Sequence, residues 1–322
     1  MIDLYSIFCS IKPTEGDGKH FSVEEISSNL PHKLGCSQEQ YPIFFVECND
    51  DTPTTNISLK QFSVNFNQIC NLKNSDGKTI AKKYTIILLK SQESDIQKYF
   101  LDLVFIVLKK LPTKPTVNTL KSEIFKVISL FTAPPVFSKE VVKGLWAELF
   151  VIASSNNPMY LIHSWHISPE DKYDFNDGID KIEVKATNNL ERLHTFSVEQ
   201  LNPNKDSKLI IASIVVVSSG QGVNIFDLID AISERVTNTD AILKLKEISY
   251  QTIGPHLEEA NKIRFDISMA INTYKLYNHY EIPSISISDI PQEVSNVHFS
   301  SCLKDVKTAD RSTMKSKLHQ SL

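Results

Sequence analysis

Residues 208–218 constrain the fold more than any other stretch. Leu209, Ile210, Ile211, Ile214, Val215, Val216 and Val217 form a run rich in β-branched side chains and nearly free of charge. Such a run reads as a strand buried on both faces. Upstream, Ser138 to Ser154 reads as a helix, with Val142, Leu145, Leu149 and Ile152 on one stripe. A hairpin and a short helix lie between the two. Helix, hairpin, short helix and buried strand in that order predict an α/β core.

The hairpin carries the chemistry. Residues 173–185 read Tyr-Asp-Phe-Asn-Asp-Gly-Ile-Asp-Lys-Ile-Glu-Val-Lys. Asn176-Asp177-Gly178 is strong turn punctuation. Beyond it Ile182, Val184 and Ala186 alternate with Glu183, Lys185 and Thr187, the period of a strand. A turn centred between Gly178 and Ile179 sets Asp174 across the ladder from Glu183. Side chains so opposed have their Cβ atoms about 5 Å apart. Two ionised carboxylates at that distance repel unless a cation sits between them. Mg²⁺ suits the pair, because it takes few protein carboxylates, keeps waters and accepts phosphate oxygens. Lys185, on the same face as Glu183, would stabilise charge developing on a phosphoryl group. The competing reading is a solvated hairpin face.

Three further groups have two readings each. Glu148 falls at the edge of the apolar stripe, between Val141 and Val151. A carboxylate crowded by apolar neighbours needs a partner, either a metal site or a buried Arg or Lys. Gln200 could reach a phosphate or the attacking water, but Ser197-x-x-Gln200 also fits a capping box. His194 could contact phosphate or be an ordinary hydrogen-bonded core histidine. Arg192 and Lys181 are further candidates for phosphate contacts.

Gly144-Leu145-Trp146-Ala147-Glu148-Leu149, Asp174-Phe175, Ile182-Glu183-Val184-Lys185 and Arg192-x-His194-x-x-Ser197-x-x-Gln200-Leu201 together resemble the PD-(D/E)XK nuclease superfamily. More narrowly, they are similar to the bacterial family known simply as "PD-(D/E)XK motif protein", which is found in restriction and phage-defence gene clusters. The motifs span roughly residues 143–217. The resemblance implies a restriction-endonuclease-like core, a mixed sheet flanked by helices. It implies a metal-dependent DNA endonuclease, with Asp174 and Glu183 holding Mg²⁺ (Mn²⁺ substituting), Glu148 as a further ligand, Lys185 as the catalytic lysine and Gln200 assisting. DNA is then the expected partner, with a methyltransferase or helicase subunit, or a second copy of the chain, as possible company. Tyr173 stands where the superfamily's name has Pro. The alternatives are a catalytically silent nuclease-fold protein that binds DNA or a partner, and a nuclease acting on RNA.

Bulk properties fit an ordinary globular chain: 322 residues, 41% hydrophobic and 22% charged. No apolar run reaches membrane-spanning length, and the start lacks the features of a secretory signal. The five cysteines are scattered without Cys-x-x-Cys spacing, which predicts reduced thiols and a cytoplasmic location. His163 and His166, lacking a cysteine pair, read as structural. A net charge of −4 argues against a nonspecific DNA coat. Local basic stretches remain, at Lys109, Lys110, Lys114, Lys121 and Lys126, and around the hairpin at Lys181, Lys185, Arg192, Lys205 and Lys208.

The expected organisation is a β-rich accessory region over 1–112 that ends in a helix, a nuclease core over 113–219, a mixed α/β region over 220–303 and a mobile tail over 304–322. Helices are expected over 95–111, 119–131, 225–236 and 241–248. Residues 263–276 and 284–290 read as strand-like. No phosphate-loop signature, EF-hand loop or nucleophile elbow is present.

Overall fold

The computed structural model describes residues 3–13, 20–59, 61–74, 77–132, 138–166, 171–254 and 256–322. The chain divides into two compact units, residues 1–134 and 135–322. The first contains α1 (Leu4–Ser10), β1 (His20–Glu25), β2 (Lys33–Cys36), β3 (Pro42–Val46), β4 (Ile57–Ser58), β5 (Phe62–Lys73), β6 (Thr79–Leu89), α2 (Ser94–Lys110) and α3 (Val117–Thr132). Its strands run β1-β2-β3-β6-β5-β4, and β1 also pairs with β5. That extra pairing closes five strands into a ring with β4 appended, so few backbone edges are left open. The apolar face of α2 packs on the sheet, where the Phe100 ring meets Phe44 and Phe62, each with centroids 5.7 Å away.

The second unit contains α4 (Lys139–Ser154), α5 (Pro158–Ser164), β7 (Phe175–Asn176), β8 (Lys181–Thr187), β9 (Leu193–Ser197), α6 (Val198–Leu201), β10 (Leu209–Val215), β11 (Ser218–Val223), α7 (Ile225–Arg235), α8 (Thr239–Ile253), α9 (Leu257–Lys262), α10 (Ile267–Thr273), β12 (Lys275–Asn278), β13 (His298–Cys302) and α11 (Lys317–Gln320). The central sheet runs β12-β10-β8-β7. β10 lies parallel to β8, from Leu209 beside Lys181 to Val215 beside Thr187, and antiparallel to β12. Every residue of β10 is buried, as its unbroken apolar run predicts. The result is the mixed α/β architecture expected from the sequence. α4 packs against β8, and α10 against β10.

The expected joints at 112 and 219 do not coincide with the division between units, for identifiable reasons. The Asn49 N–H donates to Pro115 O (3.0 Å) and the Val117 N–H to Asp50 Oδ1 (2.6 Å), binding the start of α3 to the first unit. Past residue 219, β12 completes the central sheet, and Trp146 Nε1–H donates to Val223 O (2.9 Å). The region over 220–303 therefore shares the core of the second unit.

Three local expectations need correction. Within 263–276, Asp266 caps a helix, its carboxylate accepting from the Met269 N–H (2.9 Å), and strand is limited to the isolated bridges of Phe265 and to Lys275–Asn278. Within 284–290, Ser286 accepts from the Ser288 N–H and starts a 3-10 turn, a local bond that competes with strand pairing. Residues 304–322 include a docked segment: Leu318 and Leu322 are buried, and the Asn156 N–H donates to Ser321 O (2.9 Å).

Candidate active site

The site is built on a row of side chains across adjacent strands. β7 pairs antiparallel with β8, Phe175 beside Ile182. On its other side an isolated antiparallel bridge sets Trp165 beside Phe175. One residue along, His166 stands across from Asp174 and Asp174 across from Glu183. The His166 N–H donates to Asp174 O (2.8 Å), which fixes the first of these pairs. Opposed residues in a ladder present their side chains on one face. The turn behind β7 and β8 is the expected one, with Gly178 at φ 90°, a conformation glycine adopts without strain.

Glu148 reaches the row from α4. Ser138 caps that helix through the Val141 N–H, and Val142, Leu145, Leu149 and Ile152 are buried as the stripe predicts. The partner of Glu148 is neither Arg nor Lys. Its Oε2 accepts from Trp165 Nε1–H (2.6 Å) and lies 3.0 Å from His166 Nε2. One potential ligand atom from each of Glu148, His166 and Asp174 lies within 4.8 Å of the others.

Glu183 and Lys185 meet on the next strand. Lys185 Nζ is 2.8 Å from Glu183 Oε1 and 3.3 Å from Gln200 Oε1. Its ammonium also sits 5.1 Å from the centroid of the Phe196 ring. Gln200 Nε2 donates to Glu183 Oε1 (2.7 Å) while Gln200 Oε1 accepts from the Ser197 N–H (3.1 Å). The capping box is therefore present, and the same amide touches both Glu183 and Lys185. The two readings of Gln200 are compatible, because a fixed cap is what aims the side chain.

The electrostatics of the row are those of crowded anions. Burial, then the charges of Glu183 and Glu148, push the Asp174 carboxyl well above the usual carboxylate range. Burial raises Glu183 as well, against the opposing pull of Lys185. Burial disfavours the His166 imidazolium, but the hydrogen bond and charge of Glu148 outweigh it, and the net shift is upward. Removing the protons leaves carboxylates that a divalent cation would relieve. The donor set and its spacing fit such an ion.

The other candidates do not join the row. Arg192 is buried; its guanidinium donates to Ser213 O (3.1 Å), to Ser213 Oγ (2.8 Å) and to Thr273 O. His194 is buried, with Nε2 2.8 Å from Ser213 Oγ. Burial first, then the charges of Lys185 and Arg192, lower its pKa to about 4. Lys181 is buried too, its ammonium on Ile179 O at 3.3 Å. The three guanidinium bonds make Arg192 a brace of the fold in place of the expected phosphate contact, and His194 and Lys181 are buried with it. In the first unit, Lys114 of the basic stretch pairs with the buried Glu47, which Lys82 also meets at 2.6 Å.

A family model described as "Putative PD-(D/E)XK family member, (DUF4420)" matches residues 16–304. The chain belongs to this PD-(D/E)XK family. No curated protein and no solved structure matches it. At the Pro position of the PD-(D/E)XK name, Tyr173 is buried and its hydroxyl reaches Glu199 O at 3.4 Å. That bond ties the start of the hairpin to α6. Sequence reasoning missed Trp165 and His166, the groups that hold Glu148. The signal available was weak: a Trp-His pair a few residues before the hairpin, with nothing local to fix its register. Among the described residues, no helix is long and apolar enough to cross a membrane. The five cysteines are free thiols.

Proposed function

We propose that this protein is a divalent-metal-dependent endonuclease that hydrolyses phosphodiester bonds of DNA. The observation that carries the reading is the contact of Lys185 with Glu183 and Gln200, one strand from the Glu148, His166 and Asp174 group. Asp174 and Glu148 are the side chains placed to hold the ion, with Glu183 beside them. A divalent ion bound there supplies Lewis acidity, acidifying a water and withdrawing charge from phosphoryl oxygens.

The protein's own groups do the rest. Glu183 and Gln200 keep the Lys185 ammonium in one place, so little reorganisation is needed when charge develops on the phosphoryl oxygens. Gln200 is itself held by Ser197 at the start of α6. Burial of most of the Lys185 side chain, 18% exposed, lowers the local dielectric and strengthens its pull on an anion.

The test is cleavage of supercoiled plasmid with Mg²⁺ or Mn²⁺, comparing the parent with Lys185→Ala. The variant is expected to cut about 10²- to 10³-fold more slowly while still binding metal. Undiminished cutting by the variant would refute the site. A parent inert in both metals on plasmid, single-stranded DNA and RNA would favour a binding role. Preference for RNA would move the substrate class.

A further inference from the structure

We propose that His166 is itself a ligand of the ion, so that the site binds through one imidazole nitrogen and the carboxylates of Glu148 and Asp174. This rests on the metal-dependent reading of the same site. Three observations point to it. The Trp165–Phe175 bridge and the bond from His166 N–H to Asp174 O place the imidazole in the row with Asp174 and Glu183. A nitrogen of His166 and oxygens of Glu148 and Asp174 lie mutually within 4.8 Å. His166 Nδ1 is buried and has no hydrogen-bond partner among the described residues, so Nε2, beside Glu148, is the nitrogen the ring turns to the site.

The ring is also prevented from drifting. Trp165 packs edge-on to it, with centroids 5.6 Å apart, and Lys244 Nζ donates to Trp165 O (2.8 Å) and His163 O (2.9 Å). The carboxylate of Glu148 holds Nε2 at 3.0 Å. Two ligand atoms about 2.1 Å from one ion lie about 3 Å apart, so Nε2 and the Glu148 carboxylate already have the spacing of groups that share an ion. The other side of the row is occupied differently: Glu183 Oε1 already meets Lys185 and Gln200.

A nitrogen donor changes which ion the site prefers. Mg²⁺ favours oxygen ligands, whereas imidazole suits transition-metal ions. An imidazole ligand therefore tilts the site from Mg²⁺ toward first-row transition ions, with Mn²⁺ the most weakly favoured of them, departing from the all-oxygen Mg²⁺ site expected from the sequence.

The experiment titrates full-length protein with Mn²⁺ and separately with Mg²⁺, by calorimetry. It also records pulsed electron paramagnetic resonance of bound Mn²⁺ for ¹⁴N coupling. The parent and His166→Gln are compared, the glutamine keeping a donor for Glu148. In the parent, Mn²⁺ should bind more tightly than Mg²⁺ and show ¹⁴N coupling. His166→Gln should lose the coupling and bind Mn²⁺ at least about tenfold more weakly, with a smaller change for Mg²⁺. A folded variant, judged by circular dichroism, that keeps the coupling and the parent's Mn²⁺ affinity overturns the proposal. So does a parent that binds Mn²⁺ without coupling; cleavage by that parent would leave the endonuclease reading standing. Coupling in a parent that cuts no nucleic acid would sink the endonuclease reading and keep His166 as a ligand. No Mn²⁺ binding at all removes both.

Discussion

Asp174 sits against a proton equilibrium that can be read from stability. Its carboxyl is held well above the ordinary 3.8 by burial and by Glu183 and Glu148. Above pH 3.8 the unfolded chain releases this proton while the folded chain still binds it, so the stability it contributes is lost as pH rises through the elevated value. Metal-free protein should lose melting temperature from about pH 4 upward through that value. Asp174→Asn keeps an oxygen for the Val184 N–H, which Asp174 Oδ2 now accepts at 2.6 Å. It should stabilise the metal-free protein at neutral pH by about 1–3 kcal/mol, or several degrees. With Mn²⁺ the order should reverse, because the parent gains binding energy that the variant cannot. Scanning calorimetry in EDTA and in Mn²⁺ checks both, and a less stable variant in EDTA would refute the crowding argument. Arg192 makes the opposite case: Arg192→Met should cost about 3–5 kcal/mol by chemical unfolding, since Ser213 and the Thr273 carbonyl lose buried donors. An unchanged stability with weakened DNA binding would restore the phosphate-contact role. At this scale the sequence was legible where local rules act. Turn chemistry at Asn176-Asp177-Gly178 fixed Asp174 against Glu183, and helical phase singled out Glu148. The bonds of Arg192 were not legible, because Ser213 and Thr273 are distant in the chain.

Elements were readable in proportion to how much of their pattern is local. β10 announces itself by apolar content, and α4 by Ser138 followed by an apolar stripe. The closing Trp165–Phe175 bridge leaves no such trace, since one pair of residues has no period. The 284–290 segment shows the reverse error: Ile285 and Ile287 alternate like a strand yet are both exposed, with serine bonds turning the backbone instead. α11 was missed because its binding is tertiary. It packs against α5 and β8, and His319 Nε2–H donates to Lys181 O (3.0 Å). β8 carries Glu183 and Lys185, so α11 braces the strand that presents the site. Deleting residues 317–322 should expose the surface under Leu318 and Leu322 and destabilise the protein by about 3–5 kcal/mol. It should also weaken Mn²⁺ binding, as β8 loses its end support. Chemical unfolding and calorimetric titration read the two effects. A deletion variant as stable as the parent would mean that the docked segment contributes nothing to the hairpin.

For the whole molecule, the decisive point is that each sheet of the described residues lies within one unit or the other. Among the described residues, β1 to β6 pair among themselves, β12-β10-β8-β7 and β13-β9 make two further sheets, and β11 meets Phe265 through isolated bridges. The family match, over residues 16–304, runs through both units, while every residue of the proposed site lies in the second. The contacts that position those residues lie there too: Trp165 on Glu148, Gln200 on Glu183, His319 on Lys181. The second unit is also large enough to bury a core of its own, which includes Trp146, Phe150, Trp165, Phe175 and Ile211. A fragment of residues 135–322 should therefore unfold cooperatively and bind Mn²⁺ within about threefold of the full chain, since it keeps each of those ligands and contacts. Calorimetry on the fragment measures both properties. A folded fragment with much weaker binding would mean that the first unit shapes the metal site. If Mn²⁺ affinity is retained but plasmid cleavage is lost, the first unit must act on the nucleic acid. That outcome would give the closed β-ring a substrate-binding task.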